Sequence, residues 1–555
     1  VTILGISAFG HDAAAAILVD GRLIAACEEE RLSRVKHDGS FPERAIRYCL
    51  QEAGIRSEEV DYVGFYHNPW LHIEKRLLHG LKTFPRSISF FSSHAGDFAD
   101  WGSMFAVKKR FPKARFEYVE HHRAHAAGAF YPSLFDEAAI LSVDGMGEWA
   151  TTLLAVGKGK KISSLESVYF PHSLGIYYEA LTQYLGFRIH NDEYKVMGLS
   201  AYGTGRFEDS FRRLVRSDGD GGFELDLSMF AHHLGGVPFY SDRFVSAYGA
   251  PRENGESLNQ RHADLAFAGQ RVLENALLRL TDHLFQMTGK ENLCIAGGVG
   301  LNCVANGRIF DDSPFKRIYV QPASYDSGCA IGCCYHIYHE LLGNPRRAQA
   351  EDCFLGPSFG NDRIEDALHR AGCDYRACDA PEELCGSMLA EGKVVGWFQG
   401  RMEFGPRALG ARSILANPLL KETRDRVNVM KNRESFRPFA PSVLEERAGD
   451  YFQSDREFPH MLFVRRVREE KKNVIPSVTH VDGTARIQTV SRNSRPQFYG
   501  LIARFEELTG VPVVLNTSFN LKGEPIVCTP EDALKTFLKT GLDGVFLGDY
   551  FVSGR

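Results

Sequence analysis

The sequence predicts an α/β protein with an internal duplication, and two stretches carry that prediction. Residues 1–30, "VTILGISAFGHDAAAAILVDGRLIAACEEE", read as an apolar strand, a Gly-His-Asp turn, a second strand ending at Asp20-Gly21, and a third strand. An Asp-Gly pair between apolar runs is a strong hairpin signal. Residues 138–168, "AAILSVDGMGEWATTLLAVGKGKKISSLESV", repeat the pattern: a strand, an acidic glycine turn at Asp144–Gly147, a second strand, a Gly-Lys turn and a third strand.

Two such units, each opening with a strand and an Asp-bearing loop, have the layout of the actin-like ATPase (ASKHA) fold, in which two related halves flank a nucleotide cleft. Residues 257–290 carry helical apolar periodicity. "NLCIAGGVGLNCVANGRIF" then reads as a strand, Gly297-Gly298, and a helix beginning near Leu301. Such a turn allows a nucleotide close to free helix-start amides, or simply packs a strand tightly on a helix. It is not a GxGxxG fingerprint, because Cys303 replaces the last glycine, and no GxxxxGK[ST] loop occurs. Composition shifts to Gly, Pro and charge over 340–360, which predicts a domain boundary. The expected organisation is a first domain over 1–347 and a second αβ domain over 352–538. The strand-like residues 540–555 are expected to pack back on the first.

At 555 residues and 44% hydrophobic content the chain can build several cores. A net charge of −5 offers no global basic field, so any polyanion site must be local and nucleic acid is not an expected partner. Twelve cysteines without a CxxC pair suggest reduced thiols and a cytoplasmic location. No secretory leader pattern precedes the first strand, and no apolar run approaches the ~20 residues of a membrane span.

The stretch "HHRAHAAGAF" places His121 and His125 four apart, on one helix face, with His122 pointing about 100° away. The pair alone fits half a metal shell or two partly buried polar neighbours. Asp144, at the end of a strand, and Asp326, in "PASYDSGCAIGCC", would complete a two-His, two-Asp set suited to iron(II), zinc or manganese. Four unrelated polar residues is the alternative. A second concentration lies between Arg401 and Arg437, with nine Lys/Arg against four Asp/Glu. Arg407, Arg412, Lys431, Arg433 and Arg437 are interleaved with "FGPRALG" and "FRPFAPS", as shaped phosphate-binding loops would be. A solvated surface is the usual reading of a charge run.

The motifs "HDAAAAILVDG", "EEERLSRVKHDGSFP", "EHHRAHAAGAFYPS", "SVDGMGE", "EYKVMGLSAYG", "GGVGLNCVANGRI", "YDSGCAIG", "MEFGPRALGARSILA", "NRESFRPFAPSV" and "VLNTSFNLKGEPIV" together resemble one family, across residues 4 to about 527. This is the natural-product O-carbamoyltransferase family, of nodulation, cephem and nebramycin type. The resemblance implies a first domain similar to the tRNA threonylcarbamoyl transferase and a second similar to the YrdC fold. It implies ATP, with Mg2+, and carbamoyl phosphate as co-substrates of the YrdC-like domain. Carbamoyl-adenylate forms there, with release of phosphate and pyrophosphate. The carbamoyl group then passes to a hydroxyl of a small-molecule acceptor at the first domain, in secondary metabolism such as antibiotic biosynthesis.

Carried over residue by residue, the K-x-R pattern falls on Lys431-Asn432-Arg433 and the S-x-N pattern on Ser518-Phe519-Asn520. Arg407 and Arg486 resemble further phosphate or carbamoyl contacts. His121, His125, Asp144 and Asp326 match the metal ligands, with Fe(II) favoured over zinc and manganese. His11 and Lys36 fall in loops lining the transfer site, and Gly298 and Asn302 match an adenosine-binding turn. His11 and Asp226 are candidate bases for the acceptor hydroxyl. Gly300 stands where alanine is expected, and the residues before "KVMGLSAYG" do not map. A homodimer is compatible with the sequence. Rival readings are carbamoyl or threonylcarbamoyl transfer to a protein or tRNA, and a non-catalytic nucleotide-binding regulator. The acceptor itself is not encoded legibly; the aromatic and His-rich region 70–110 is the expected acceptor-specific insertion.

Overall fold

The computed structural model describes residues 1–68, 70–84, 107–217, 221–346, 352–454 and 456–554. Most of the expected acceptor insertion, residues 85–106, lies outside the described residues. The chain divides into two compact units. The first comprises Val1–Glu29 and His37–Asp352, the second Glu30–Lys36 and Cys353–Arg555.

The first unit contains the duplication. One five-stranded sheet runs Arg22–Glu28, Ala14–Val19, Thr2–Ser7, Tyr62–Phe65, Arg115–Tyr118. The other runs Lys161–Tyr169, Ala150–Lys158, Glu137–Val143, Asn292–Ala296, Arg317–Val320, the same order of antiparallel meander followed by parallel strands. The three meander strands of each sheet and Asn292–Ala296 are strands the sequence pattern predicts; Tyr62–Phe65, Arg115–Tyr118 and Arg317–Val320 are not among them. The first hairpin pairs Val19 with Arg22 around Asp20 and Gly21, both with positive φ (47° and 78°), the turn that suits the twist of paired strands. The opening strands are buried along almost their whole length, as strands covered on both faces must be.

Two helices of small residues pack between these elements: His121–Phe130 and Ser327–Tyr335. They meet backbone to backbone. A Cβ on Gly332 would stand 1.8 Å from the Ala124 carbonyl oxygen, so only glycine fits there. The long helix Gln260–Thr288, capped by Asn259 and Gly289, realises the predicted periodicity. The helix expected near Leu301 begins instead at Cys303, because Gly298–Leu301 forms a separate 3-10 turn and Asn302 caps the helix. All twelve cysteines are free.

The second unit is built on a mixed eight-stranded sheet in the order Arg376–Ala377, Tyr550–Ser553, Gly544–Leu547, Val395–Phe398, Arg412–Ala416, Val513–Ser518, Ala440–Leu444, Gln488–Val490. The C-terminal strands therefore lie here and not on the first domain as expected. Gly544–Leu547 runs parallel to Val395–Phe398, pairing Val395 with Gly544, and Asp543 accepts a 2.7 Å hydrogen bond from the Val394 amide. Four buried residues make that strand an interior one of this sheet. Among the described residues no helix is long and apolar enough to cross a membrane.

The helix contact yields a first prediction. Replacing Gly332 by valine forces the two helices apart and should destabilise the protein by about 3 kcal/mol or more. Thermal unfolding followed by circular dichroism checks this; an unchanged Tm would contradict the packing described.

Candidate metal centre and phosphate site

The helix contact sets the geometry of a buried cluster. His121 and His125 occupy successive turns of one helix, and Asp326 immediately precedes the other. Asp144 follows the strand Glu137–Val143, with its amide bonded to the Thr151 carbonyl at 3.0 Å. The two Nε2 atoms are 3.1 Å apart. His125 Nε2 is 2.9 Å from Asp144 Oδ2 and 3.6 Å from Asp326 Oδ1; for His121 Nε2 the distances are 3.6 and 3.8 Å. Ligand atoms held ~2.0–2.2 Å from one divalent ion stand about this far from one another. All four side chains are buried. Two buried carboxylates need a countercharge, and two imidazole nitrogens facing each other cannot both donate, so a cation at their centre satisfies the set. Cys329 is a further donor near both histidines.

Surrounding groups hold the ligands in place. The Asp144 carboxylate accepts from the amides of Gly145 (2.7 Å) and Gly298 (3.1 Å). Tyr66 donates to Asp326 at 3.4 Å. Glu148 accepts from the amides of Asn68 (2.9 Å) and His121 (3.2 Å), seating the start of the histidine helix. His122 is turned away. Its ring bonds Ser142 Oγ at 2.9 Å and the Ala150 carbonyl at 3.1 Å. Burial, then the neighbouring His121 and His125 charges, push its pKa down to about 3.

His11 belongs to an adjoining network. Asp12 sits between two imidazoles, 2.9 Å from His11 Nδ1 and 2.7 Å from His37 Nδ1. His37 Nε2 reaches Asn191 at 2.7 Å, and His190 stacks on His11 while lying 3.1 Å from Glu179. Asp326, Asp12 and Asp144 together outweigh burial, the largest single influence, and raise the His11 pKa well above its ordinary value. With Nδ1 turned to Asp12, Nε2 is the face of His11 turned away from that carboxylate. Sequence reasoning singled out His11 and missed Asp12, His37, His190 and Asn191, although "GHD", "KHDG" and the unmapped "HNDEY" contain all of them.

Other expected residues make structural hydrogen bonds. Asn302 exchanges amide bonds with Gln270 (2.9 and 3.1 Å) and caps the Ala305 amide at 3.0 Å. Gly298 contributes its amide to Asp144, and Gly297, at φ +85°, lies so close to Val143 that a Cβ would be 2.1 Å from its carbonyl oxygen. The "GGVGLN" turn thus includes tight packing of strand against helix. Asp226 caps the turn Leu227–Met229, accepting from Ser228 N at 3.2 Å, with Arg216 3.7 Å away. That use of the carboxylate argues against its being a base.

In the second unit the K-x-R and S-x-N motifs meet. Lys431, 1% exposed, donates to the Ser518 carbonyl, and to the Asn520 carbonyl and Oδ1 at 2.8 and 3.0 Å. Ser518 Oγ donates to Asn520 Oδ1 at 2.7 Å, and Arg433 reaches Thr517 Oγ1 at 3.3 Å. Burial, followed by Arg433, Arg437 and Lys36, holds the Lys431 pKa well below its ordinary value. Lys36, expected at the transfer site, lies in the segment that belongs to this unit. Arg407 sits in a loop gathered by Glu403, whose Oε1 accepts from the amides of Leu409 (2.7 Å), Ala411 (2.8 Å) and Arg412 (3.2 Å). Arg486 ends the short strand Thr484–Arg486, paired with Val464–Arg466. Arg412 is not a phosphate contact: it is fully buried, donates to the carbonyls of Gln399, Gly400, Ala411 and Pro357, and lies over the Phe398 ring. "GPSFG" at 356–360 spells a nucleophile elbow, but among the described residues no strand leads into it, and the strand-to-helix turn such an elbow requires is not seen there.

Comparison with known proteins decides the family. The carbamoyltransferase N-terminus model matches residues 2–335, and the carbamoyltransferase C-terminus model matches 386–554. The chain belongs to the carbamoyltransferase family. It is 40% identical to nodulation protein NolNO of Sinorhizobium fredii, over 99% of this chain and 79% of that protein. It is 37% identical to the 3'-hydroxymethylcephem-O-carbamoyltransferase of Streptomyces clavuligerus, over 46% of this chain and 48% of that one. Among solved structures, component A of the Acidaminococcus fermentans (R)-2-hydroxyglutaryl-CoA dehydratase matches 62% of this carbamoyltransferase and 99% of its own chain, at 14% identity and TM-score 0.35.

Two predictions follow from the cluster. His121→Ala and His125→Ala should each lose the bound divalent ion, whereas His122→Gln should retain it; metal analysis of the purified variants distinguishes them. The folded state refuses a proton on His122 until about pH 3, while the unfolded chain takes it near pH 6.5. This contribution to stability is complete above about pH 6.5 and is lost as pH falls toward 3. The Tm difference between neutral and acid buffers should therefore shrink in His122→Gln; an equal or larger difference would contradict it.

Proposed function

We propose that this carbamoyltransferase is an ATP- and carbamoyl phosphate-dependent O-carbamoyltransferase acting on a hydroxyl of a small natural-product molecule. The observation that carries the reading is the meeting of Lys431, Arg433, Ser518 and Asn520 in one unit, with a buried His/Asp cluster in the other. Carbamoyl phosphate and water give carbamate and phosphate. Carbamate oxygen then attacks the α-phosphorus of ATP, which becomes carbamoyl-adenylate as pyrophosphate leaves. The acceptor hydroxyl attacks the carbamoyl carbon, and the bond to AMP breaks.

Lys431 and Arg433 offer donors to phosphate oxygens, and a bound polyanion restores the charged form that burial disfavours in Lys431. Mg2+ accompanies ATP as part of the substrate. In the first unit His121, His125, Asp144 and Asp326 would hold a divalent ion, with Fe(II) favoured by a set of two imidazoles and two carboxylates. When bound, that ion supplies Lewis-acid stabilisation of charge on the departing phosphate. A cation held on Asp144 and Asp326 would offset two of the carboxylates that favour protonated His11, leaving His11, oriented through Nδ1 by Asp12, to take the acceptor proton at Nε2. A water-poor site protects the labile adenylate from hydrolysis.

Pyrophosphate release from ATP tests this reading. Release is expected to depend on carbamoyl phosphate and to fall by at least about a hundredfold in Lys431→Ala. Release without carbamoyl phosphate, or unchanged in the variant, would overturn it.

A further inference from the structure

The hairpin of Ala150–Lys158 and Lys161–Tyr169 carries an arrangement that sheet energetics disfavours. Lys158 and Lys161 stand directly opposite each other, and like charges in that position repel. Glu137 faces Lys158 from the neighbouring strand, so the three charges form one row across the sheet. Glu137 lies 2.8 Å from Lys290 and 3.9 Å from Lys158, so Lys290 holds it more closely. Among the described residues no carboxylate pairs with Lys161. Lys290 arrives from the long helix Gln260–Thr288, which Gly289 stops with a φ of +59°.

This row borders a cleft of about 450 Å³, a size that suits a small molecule. Lys158, Lys161 and Lys290 are its charged lining, and its floor is apolar. Val156, paired with Ser163, lies one step along the same face of the hairpin. Met287 comes from the last turn of the long helix. Leu165 is the extra residue of a bulge: Ser164 pairs with Ala155 and Glu166 with Leu154, and Leu165 between them is unpaired. Bulges re-aim side chains, and this one gives Leu165 to the cleft. Leu165 and Met287 are each 38% exposed, so a ligand can reach them. The acid beside them, Glu166, is engaged by His283 at 2.9 Å. The cleft is separate from the buried His/Asp cluster. Glu137 opens the strand that Asp144 follows, and strand rise over that length puts them roughly 23 Å apart.

We propose that this cleft binds a small amphipathic anion of the short-chain organic acid class. The carboxylate sits between Lys158 and Lys161 and relieves their repulsion, while the hydrocarbon covers Val156, Leu165 and Met287. Three lysines against one carboxylate match a single small anion, and ammonium groups act as point charges without the fork that planar bidentate recognition uses.

Octanoate and octylammonium, titrated calorimetrically into the full chain, test the proposal. Octanoate should bind saturably at one site, and octylammonium should not bind. Lys161→Glu turns a repulsive cross-strand pair into an attractive one, so the Tm without ligand should hold or rise. The same variant should weaken octanoate binding at least about tenfold, the loss of one charge-assisted contact. Leu165→Asp, at an exposed position, should weaken it by a similar factor, and Lys161→Arg should retain it. No saturable octanoate binding, equal binding of octylammonium, or unchanged affinity in either Lys161→Glu or Leu165→Asp would each overturn the proposal.

Discussion

The contact between the helices His121–Phe130 and Ser327–Tyr335 is the constraint on which the first unit depends. Ala124 and Gly332 touch through their backbones, so the helices can approach only because no side chain intervenes. That approach carries His121, His125 and Asp326 to one point, and the end of a central strand delivers Asp144 to it. The resulting charge problem is local and severe. Two carboxylates lie out of water beside two imidazoles, and only a cation or bound protons can balance them. Around them, the amides of Gly145 and Gly298 donate to Asp144 and the Tyr66 hydroxyl donates to Asp326.

The second unit poses the opposite problem. There a buried ammonium is surrounded by cations and folded onto carbonyl oxygens of its own S-x-N turn. The first unit concentrates acceptors that suit a cation, and the second concentrates donors that suit an anion. The two-step transfer proposed above would need such complementary fields, and each is made from residues distant in sequence. Their placement on sheets and on loops tied by buried residues keeps the donors in position before substrate arrives.

Much of this was legible in the sequence because its signals are periodic or local. The duplicated meander showed as repeated apolar runs with acidic glycine turns, and the His-x-x-x-His spacing anticipated a shared helical face. The K-x-R and S-x-N motifs were legible through resemblance, and the structure brings them into contact. What failed depended on partners that no local pattern reveals. Residues 540–555 read correctly as strand, but their sheet is chosen by pairing with Val395–Phe398. Arg412 looked like one more phosphate arginine, and four backbone carbonyls claim it instead. Asn302 and Asp226 also serve as caps, a use that no motif announces. Asp12 escaped notice because its role comes from His37, twenty-five residues away, as much as from its neighbour His11.

Anomalous diffraction at a metal absorption edge, from crystals of metal-supplemented protein, tests the central claim most directly. The account predicts one strong peak within about 2.0–2.3 Å of His121 Nε2, His125 Nε2, Asp144 and Asp326. No peak at that position, in ordered and metal-supplemented crystals, would contradict it and leave the buried carboxylates balanced by protons alone.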